Sequence, residues 1–353
     1  MAYDISASRN RNSVTKVDSS RFYSEYYGHK VRHLEVLLPQ LRADTDSLIW
    51  TAGDSSLDNK YWFSDIRSAV GLAGYEQVLD PPRCNADVTY WLNYLANARG
   101  SRLGAINTAV EATTLNERTF RLRPQDRFLR DNIQSNDILI VSVGGNDVAM
   151  APTPCTIFSI LSMVKLPSWC LKRGCVVGSM PCDEYCCGCG PAAMGSCLCA
   201  FPPCFGYLVH LFGTRVKRYI EKLVAKTKPK TILVCMYYYL DENPTPSWAG
   251  LALGCLDYNS SPHKLQTLIR RAFVEATSKI EVPGCEVIPI PLFNVLDGKN
   301  SRDYVARVEP SSEGGFKMAE YLLDTIQRVD AIGDGGGRIG DVLPTTSITM
   351  ARQ

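Results

Sequence analysis

Histidine is scarce in this chain. Four occur in 353 residues, at positions 29, 33, 210 and 263, so any reaction that needs an imidazole base must recruit one of these. Long apolar runs are missing too. No segment approaches the roughly 20 uninterrupted apolar residues that cross a bilayer as a helix. The first residues, "MAYDISASRNRNSVTKVDSS", lack an apolar core segment. They read as a polar leader over 1–20, not as a secretory signal, and the expected compartment is cytoplasmic. Charge of one sign is also lacking: 38 Lys and Arg face 36 Asp and Glu, for a net charge of +2. No global field favours nucleic acid, which is not an expected partner. No internal repeat is visible, and 45% apolar residues is an ordinary globular balance.

Cysteine, by contrast, is abundant. Of the 14, all but Cys84, Cys235, Cys255 and Cys285 fall between Cys155 and Cys204. Such clustering marks a Cys-rich insertion over 151–204, placed where it could act as a lid on a neighbouring crevice. A reducing compartment weakens a disulfide reading, yet three states stay open: disulfides, free or acylated thiols, or a structural zinc site. The zinc candidates are Cys182, Cys186, Cys189, Cys197 and Cys199, with Cys204 as a further option, at a spacing that matches no common zinc module. Apolar flanks on this block are followed by a basic segment carrying Arg215, Lys217, Arg218, Lys222, Lys226, Lys228 and Lys230. Together they raise peripheral contact with an anionic membrane surface as an option beside a solvated helix face.

Outside that block, apolar β-like runs alternate with helical patterns. "SLIWTAG", "RLGAINTAV", "DILIVSVGG", "KTILVCMYYYL" and "GCEVIPIPLF" read as five strands. Their nearly continuous apolarity suggests a parallel sheet covered on both faces. Helices are expected over "RFYSEYYGHKVRHLEVLLPQLR", over "SLDNKYWFSDIRSAVG" directly after the first strand, and over "NADVTYWLNYLANARG". Further ones are expected over "PQDRFLRDNIQ", a long stretch from Phe205, "HKLQTLIRRAFVEATSKI" and "EGGFKMAEYLLDTIQ". The alternation predicts a three-layer α/β/α sandwich with a five-stranded parallel sheet. One domain would comprise 21–150 and 205–328, with 329–353 a loose Gly-rich tail.

In such sheets chemistry gathers at the carboxyl ends of the strands. Four stretches end up there: "GDSS", "GGND", "NTAVEATT" and the loop before "EPSSEGG"; the first two carry the recognisable motifs. "GDSS" (Gly53, Asp54, Ser55, Ser56) follows the first strand, where Ser55 is either a nucleophile or a helix cap. "GGND" (Gly144, Gly145, Asn146, Asp147) follows the third, where two glycines permit a tight turn and Asn146 can aim its amide into the same crevice. Together these motifs resemble the SGNH (GDSL-like) hydrolase superfamily, from about Ser47 to Gln327. The resemblance implies an SGNH/flavodoxin-like fold and a serine that attacks an acyl carbonyl. Ser55 would be that nucleophile. The oxyanion would be held by the side chain of Asn146 and by the backbone N–H of Ala109. In "NTAVEATT", Ala109 and Ala112 stand where the family has glycines.

The final family block departs from the pattern. In "DYVARVEPSSEGG", Glu309 occupies the histidine position and Ala306 the aspartate position. Three sources of a base remain open. Glu309 acts itself, although a neighbouring Arg307 would depress it. A distant histidine (His29, His33, His210 or His263, the last at a helix start that could lie near the crevice) fills the gap, with Glu309 orienting it. Or the site binds without hydrolysing. Lys60 could pair with Glu309 or a substrate carboxylate, or lie on a solvated helix face, and Asp58 sits at capping-box spacing from Ser55. The expected activity is serine ester hydrolysis on a small acyl or carbohydrate ester, with no cofactor required. The alternative is an inactive SGNH-fold binding or scaffold protein.

Overall fold

The computed structural model describes residues 15–63, 69–182 and 189–335. All five expected strands form: β1 (Ser47–Gly53), β2 (Leu103–Asn107), β3 (Ile138–Ser142), β4 (Thr231–Met236) and β5 (Glu286–Pro291). They make one parallel sheet in the order β2-β1-β3-β4-β5. Side chains alternate between two apolar layers. Leu48, Trp50, Leu139, Val141, Ile232 and Val234 enter one core, while Ile49, Ile138, Ile140, Leu233 and Ile288 enter the other. Both faces therefore need a helical cover, which explains why the strands read as unbroken apolar runs.

One layer contains α1 (Val31–Asp44), with Leu34, Leu37 and Leu41 inward, and α3 (Pro124–Asn132). The opposite layer is α2 (Val88–Ala98) against α5 (Ser312–Gly335), joined through Leu92, Leu95, Met318 and Leu322. Helix α4 (Pro262–Glu275) closes the first layer beside β4 and buries Leu265, Leu268, Ala272 and Phe273. The three-layer α/β/α sandwich is thus the fold of this chain.

Three local expectations are corrected. The leading helix is interrupted: a short turn of helix at Ser19–Tyr23 precedes α1, and Gly28 separates them at φ +75°. A Cβ at Gly28 would lie 3.1 Å from Val110 and 3.2 Å from the Ala109 carbonyl, so the chain bends where only glycine fits comfortably. The helix expected after "GDSS" is replaced by a tight turn and a 3-10 turn at Lys60–Trp62; the stretch 64–68 lies outside the described residues. Finally, α5 continues to Gly335, into the part read as a tail.

The Cys-rich insertion carries short helices at Pro154–Val164, Ser168–Lys172 and Pro191–Cys197. Cys155 and Cys189 form a disulfide, and the other ten described cysteines are free thiols. The bridge removes Cys189 from the zinc candidates, and Cys186 lies outside the described residues. Among the described residues no three His, Cys, Asp or Glu side chains come together so as to hold a metal, and no helix is long and apolar enough to cross a membrane. Much of the basic segment after it is engaged within the fold. Lys222 donates to the carbonyls of Arg118 and Thr119, and Arg218 to that of Pro181. Lys226 pairs with Asp131, and Lys230 with Asp330.

Candidate active site

Strand β1 ends at Gly53, whose φ is +126°. A Cβ there would come within 1.7 Å of the Ser142 carbonyl oxygen, so only glycine lets β1 run this close to β3. The chain then turns. The Asp54 N–H donates to the Ser142 carbonyl (3.0 Å), and Leu57 and Asp58 N–H both donate back to the Asp54 carbonyl. The Ser56 hydroxyl donates to Asp54 Oδ1 (2.8 Å) and lies 2.7 Å from the Ser142 hydroxyl, which can donate to it in turn. Asp54 also accepts from the Tyr237 hydroxyl. Its carboxylate thus braces the turn. Burial raises its pKa, against the hydrogen bonds from Tyr237 and Ser56.

Ser55 caps no helix. Its hydroxyl donates to Glu309 Oε1 at 3.0 Å. Glu309 lies in a small hairpin, where Tyr304–Val305 pairs antiparallel with Glu309–Pro310. Ala306 and Arg307 turn the corner at φ +50° and +71°. Two contacts hold this hairpin against the site: Asn59 Nδ2 donates to the Pro310 carbonyl (3.0 Å), and the Tyr238 hydroxyl to the Val308 carbonyl (2.8 Å). In the sequence Asn59 is suggestive only as a neighbour of Ser55, with no role attached, and Tyr238 does not stand out. An Asn four residues past the serine carries no recognisable signal, because its partner is 251 residues away.

Among the described residues no cation neutralises Glu309. Lys60 is fully buried and gives its ammonium to both oxygens of Asp58 (2.7 and 2.8 Å), which corrects both the solvated-face reading and a pairing with Glu309. Arg307 points away, donating to the Asp241 carbonyl and to Asn259 Oδ1. No histidine arrives either. His263 is exposed and bonds Ser168 Oγ (3.0 Å). His29 bonds the Phe22 carbonyl, His33 packs over the Phe22 ring, and His210 bonds the Cys182 carbonyl. Glu309 Oε2 is buried without a hydrogen-bond partner. Burial, reinforced by the Asp54 and Asp58 carboxylates and opposed by the Ser55 hydroxyl, pushes the Glu309 pKa up to about 8.

The third motif forms as its composition suggests. Gly144 takes φ +110° and starts a helical turn at Gly145–Ala149. A Cβ on Gly145 would lie 2.7 Å from the Tyr237 ring, so this glycine lets Tyr237 reach Asp54. Asn146 Nδ2 donates to the Thr113 carbonyl (3.1 Å). Asp147 holds the adjacent loop, accepting from the N–H groups of Leu115 (2.8 Å) and Asn116 (3.2 Å).

The second motif differs from expectation. Ala109 is fully buried, and its N–H donates to Asn107 Oδ1 at 3.0 Å, which removes it as an oxyanion donor. Ala112 differs. It is partly exposed, sits at φ +56°, and its N–H meets no acceptor among the described residues. It also adjoins Thr113, the partner of Asn146. Arg118 locks this loop to the first: its buried guanidinium reaches the Gly53 carbonyl (2.9 Å), Thr113 Oγ1 (2.7 Å), the Thr114 carbonyl (3.1 Å) and Asp126 (3.0 Å).

Ser55, Asn146 and Glu309 line one cavity of about 110 Å³. Behind them its wall is apolar, with Leu208, Phe212, Met236, Leu253, Leu268 and Ile269 among its residues. The insertion supplies Ile160 to the same wall.

A second buried acid lies close by. Both Glu111 oxygens are buried without a hydrogen-bond partner, and burial together with the Asp58 charge raises its pKa to about 9. Asp87 is likewise pushed to about 7. These pKa values lie above those of the unfolded chain, so the folded state keeps protons that the unfolded state has already released. That contribution is full below about pH 4 and is lost as pH rises through the folded values. Buried His29 and His33 give the opposite slope, but only below about pH 6.5. Between pH 6.5 and 9 the carboxyls dominate. The urea midpoint is expected to fall across that window, by the equivalent of about 6 kcal/mol for Glu309, Glu111 and Asp87 together. A flat or rising midpoint would contradict the burial of Glu309 and Glu111.

No protein-family model matches the chain, and no curated protein matches its sequence. Solved structures do show similarity. One is a family 3 carbohydrate esterase of Clostridium thermocellum, at 12% identity and TM-score 0.37, covering 81% of this chain and 98% of that one. A psychrotrophic esterase from Pseudoalteromonas sp. aligns at 12% identity and TM-score 0.39, over 80% of this chain and 98% of its own. A lipase/acylhydrolase from Enterococcus faecalis aligns at 10% identity and TM-score 0.38, over 78% and 95% respectively. At such identities and scores, the chemistry has to be read from the atoms of the site itself.

Proposed function

We propose that this chain is a serine ester hydrolase of the SGNH type, with Ser55 as nucleophile and Glu309 as general base. The observation that carries the proposal is the 3.0 Å hydrogen bond from Ser55 Oγ to a buried carboxyl that no cation pairs among the described residues. An ordinary glutamate, with a pKa near 4.3, is a poor base for a hydroxyl. Raised to about 8, Glu309 is better matched to the task.

In this reaction Ser55 Oγ attacks the ester carbonyl carbon as its proton passes to Glu309. Negative charge collects on the carbonyl oxygen, where the free N–H groups of Ser55 and Ala112 and the second Nδ2 hydrogen of Asn146 receive it. One such donor typically stabilises the transition state by about 3 kcal/mol. Collapse expels the alcohol, which takes the proton from Glu309, and leaves an acyl-Ser55 ester. Water, deprotonated by Glu309, releases the acid and restores the serine. The chemistry requires no cofactor.

A fluorophosphonate probe at pH 8.5 tests the reading. Wild type is expected to be labelled, and Ser55→Ala is not. Equal labelling of both, or of neither, rejects Ser55 as nucleophile. The competing reading, a binding or scaffold protein, draws on the same raised pKa, since near pH 7 most Glu309 carries its proton. Labelling that stays absent up to pH 9 would favour that alternative.

A further inference from the structure

We infer that the ester taken by this site has an aliphatic acyl chain, which runs from Ser55 into the apolar cavity. This rests on the hydrolytic reading above and adds the substrate class to it.

The cavity is polar at one end only. Asp54, Ser55, Ser56, Asn146 and Glu309 gather there. The other hydroxyls in the lining are engaged, that of Tyr237 with Asp54 and that of Tyr238 with the Val308 carbonyl. Further in, the wall comes from helix faces: Leu265, Leu268, Ile269 and Ala272 of α4, with Ala252 and Leu253 of the Gly250–Cys255 helix. A sugar ring placed there would leave its hydroxyls without partners, which is costly in a dry site. An acetyl group would use only the first part of the space. Cavities lined by Leu, Ile and Phe stay dry and accept apolar ligands. At the mouth, Trp248 is half-exposed and stacks on Trp62, with ring centroids 6.2 Å apart. That pair supplies an apolar entrance for a chain.

The test uses p-nitrophenyl acetate, butyrate, octanoate and laurate at pH 8.5. Each buried methylene can add about fourfold to kcat/KM. From acetate to octanoate we expect a rise of at least about tenfold. Ala252→Trp, or Ile269→Trp should the first variant misfold, is expected to lower the octanoate-to-acetate ratio by about tenfold or more. A flat or falling profile in wild type, or a ratio unmoved by a folded variant, overturns the inference while leaving hydrolysis intact. The Ser55→Ala chain is titrated in parallel with a fluorescent polyene fatty-acid methyl ester. Binding that methyl laurate displaces supports an acyl cavity even if wild type hydrolyses nothing, and no binding overturns it. The two readings therefore fail separately.

Discussion

Replacing Glu309 by Gln is expected to lower kcat by about 10²–10⁴-fold, the usual contribution of a positioned general base. Glutamine keeps the shape and an acceptor oxygen for the Ser55 hydroxyl, but it cannot take the proton. In wild type kcat should climb with pH through about 8, because only the ionised carboxylate is a base. In Glu309→Gln that rise should vanish. Stability should move the other way. A buried carboxyl without a cation partner becomes costly once ionised, so the variant should unfold at higher urea than wild type above pH 8. Stopped assays across pH 6–9.5, with urea melts at the same pH values, check both halves. A variant that is less stable and equally active would make Glu309 a structural residue.

The second large effect is expected from Asp58→Asn. Asp58 and Lys60 are both fully buried, and Asp58 is the ion-pair partner of the Lys60 ammonium. Asp58 also accepts from Asn107 Nδ2 (2.8 Å) and from the Glu111 N–H (3.0 Å), so it ties the Ser55 turn to the Ala112 loop. Removing one charge strands the other in a dry interior, a loss of about 3–5 kcal/mol. Chemical denaturation measures it directly. The double variant Asp58→Asn with Lys60→Met should recover much of the loss, because no unpaired charge remains. Equal stability of wild type and Asp58→Asn would mean that Lys60 reaches solvent.

The pair also shows why part of the site could not be read from the sequence. A Lys two residues from an Asp, after a Gly-Asp-Ser, resembles any polar helix surface. Its burial comes with long-range contacts, Asp58 with Asn107 and Glu111 and the Lys60 carbonyl with Asn85, which no local pattern records. The helix expected at "SLDNKYW" fails for a related reason. Asn59 and Asp58 bond to distant loops instead of to their own backbone, and these long-range partners outweigh helical propensity. The same holds for Ala109 and Ala112. Both stand at glycine-like positions in one motif, and only the backbone angles and the Asn107 contact distinguish the engaged N–H from the open one.

The cavity wall was least legible. The segment "NPTPSWAGLALGC" has no strong periodicity, yet it contributes Trp248, Ala252 and Leu253. The Cys155–Cys189 bridge was equally hidden, since ten clustered cysteines allow many pairings.

By itself the sequence determined the sheet, its helical cover and the places where chemistry gathers. Those features are local: apolar runs make strands, 3.6-residue periodicity makes helices, and glycines permit the turns at Gly53 and Gly144. Only the tertiary structure set the surroundings of Ser55. It brought Glu309 to Ser55 across 254 residues, turned Arg307 and Lys60 toward other partners, and left no histidine beside the serine among the described residues. Burial then altered the acidity of that glutamate. Acidity depends on solvent exclusion and neighbouring charge, and both exist only once the chain has folded.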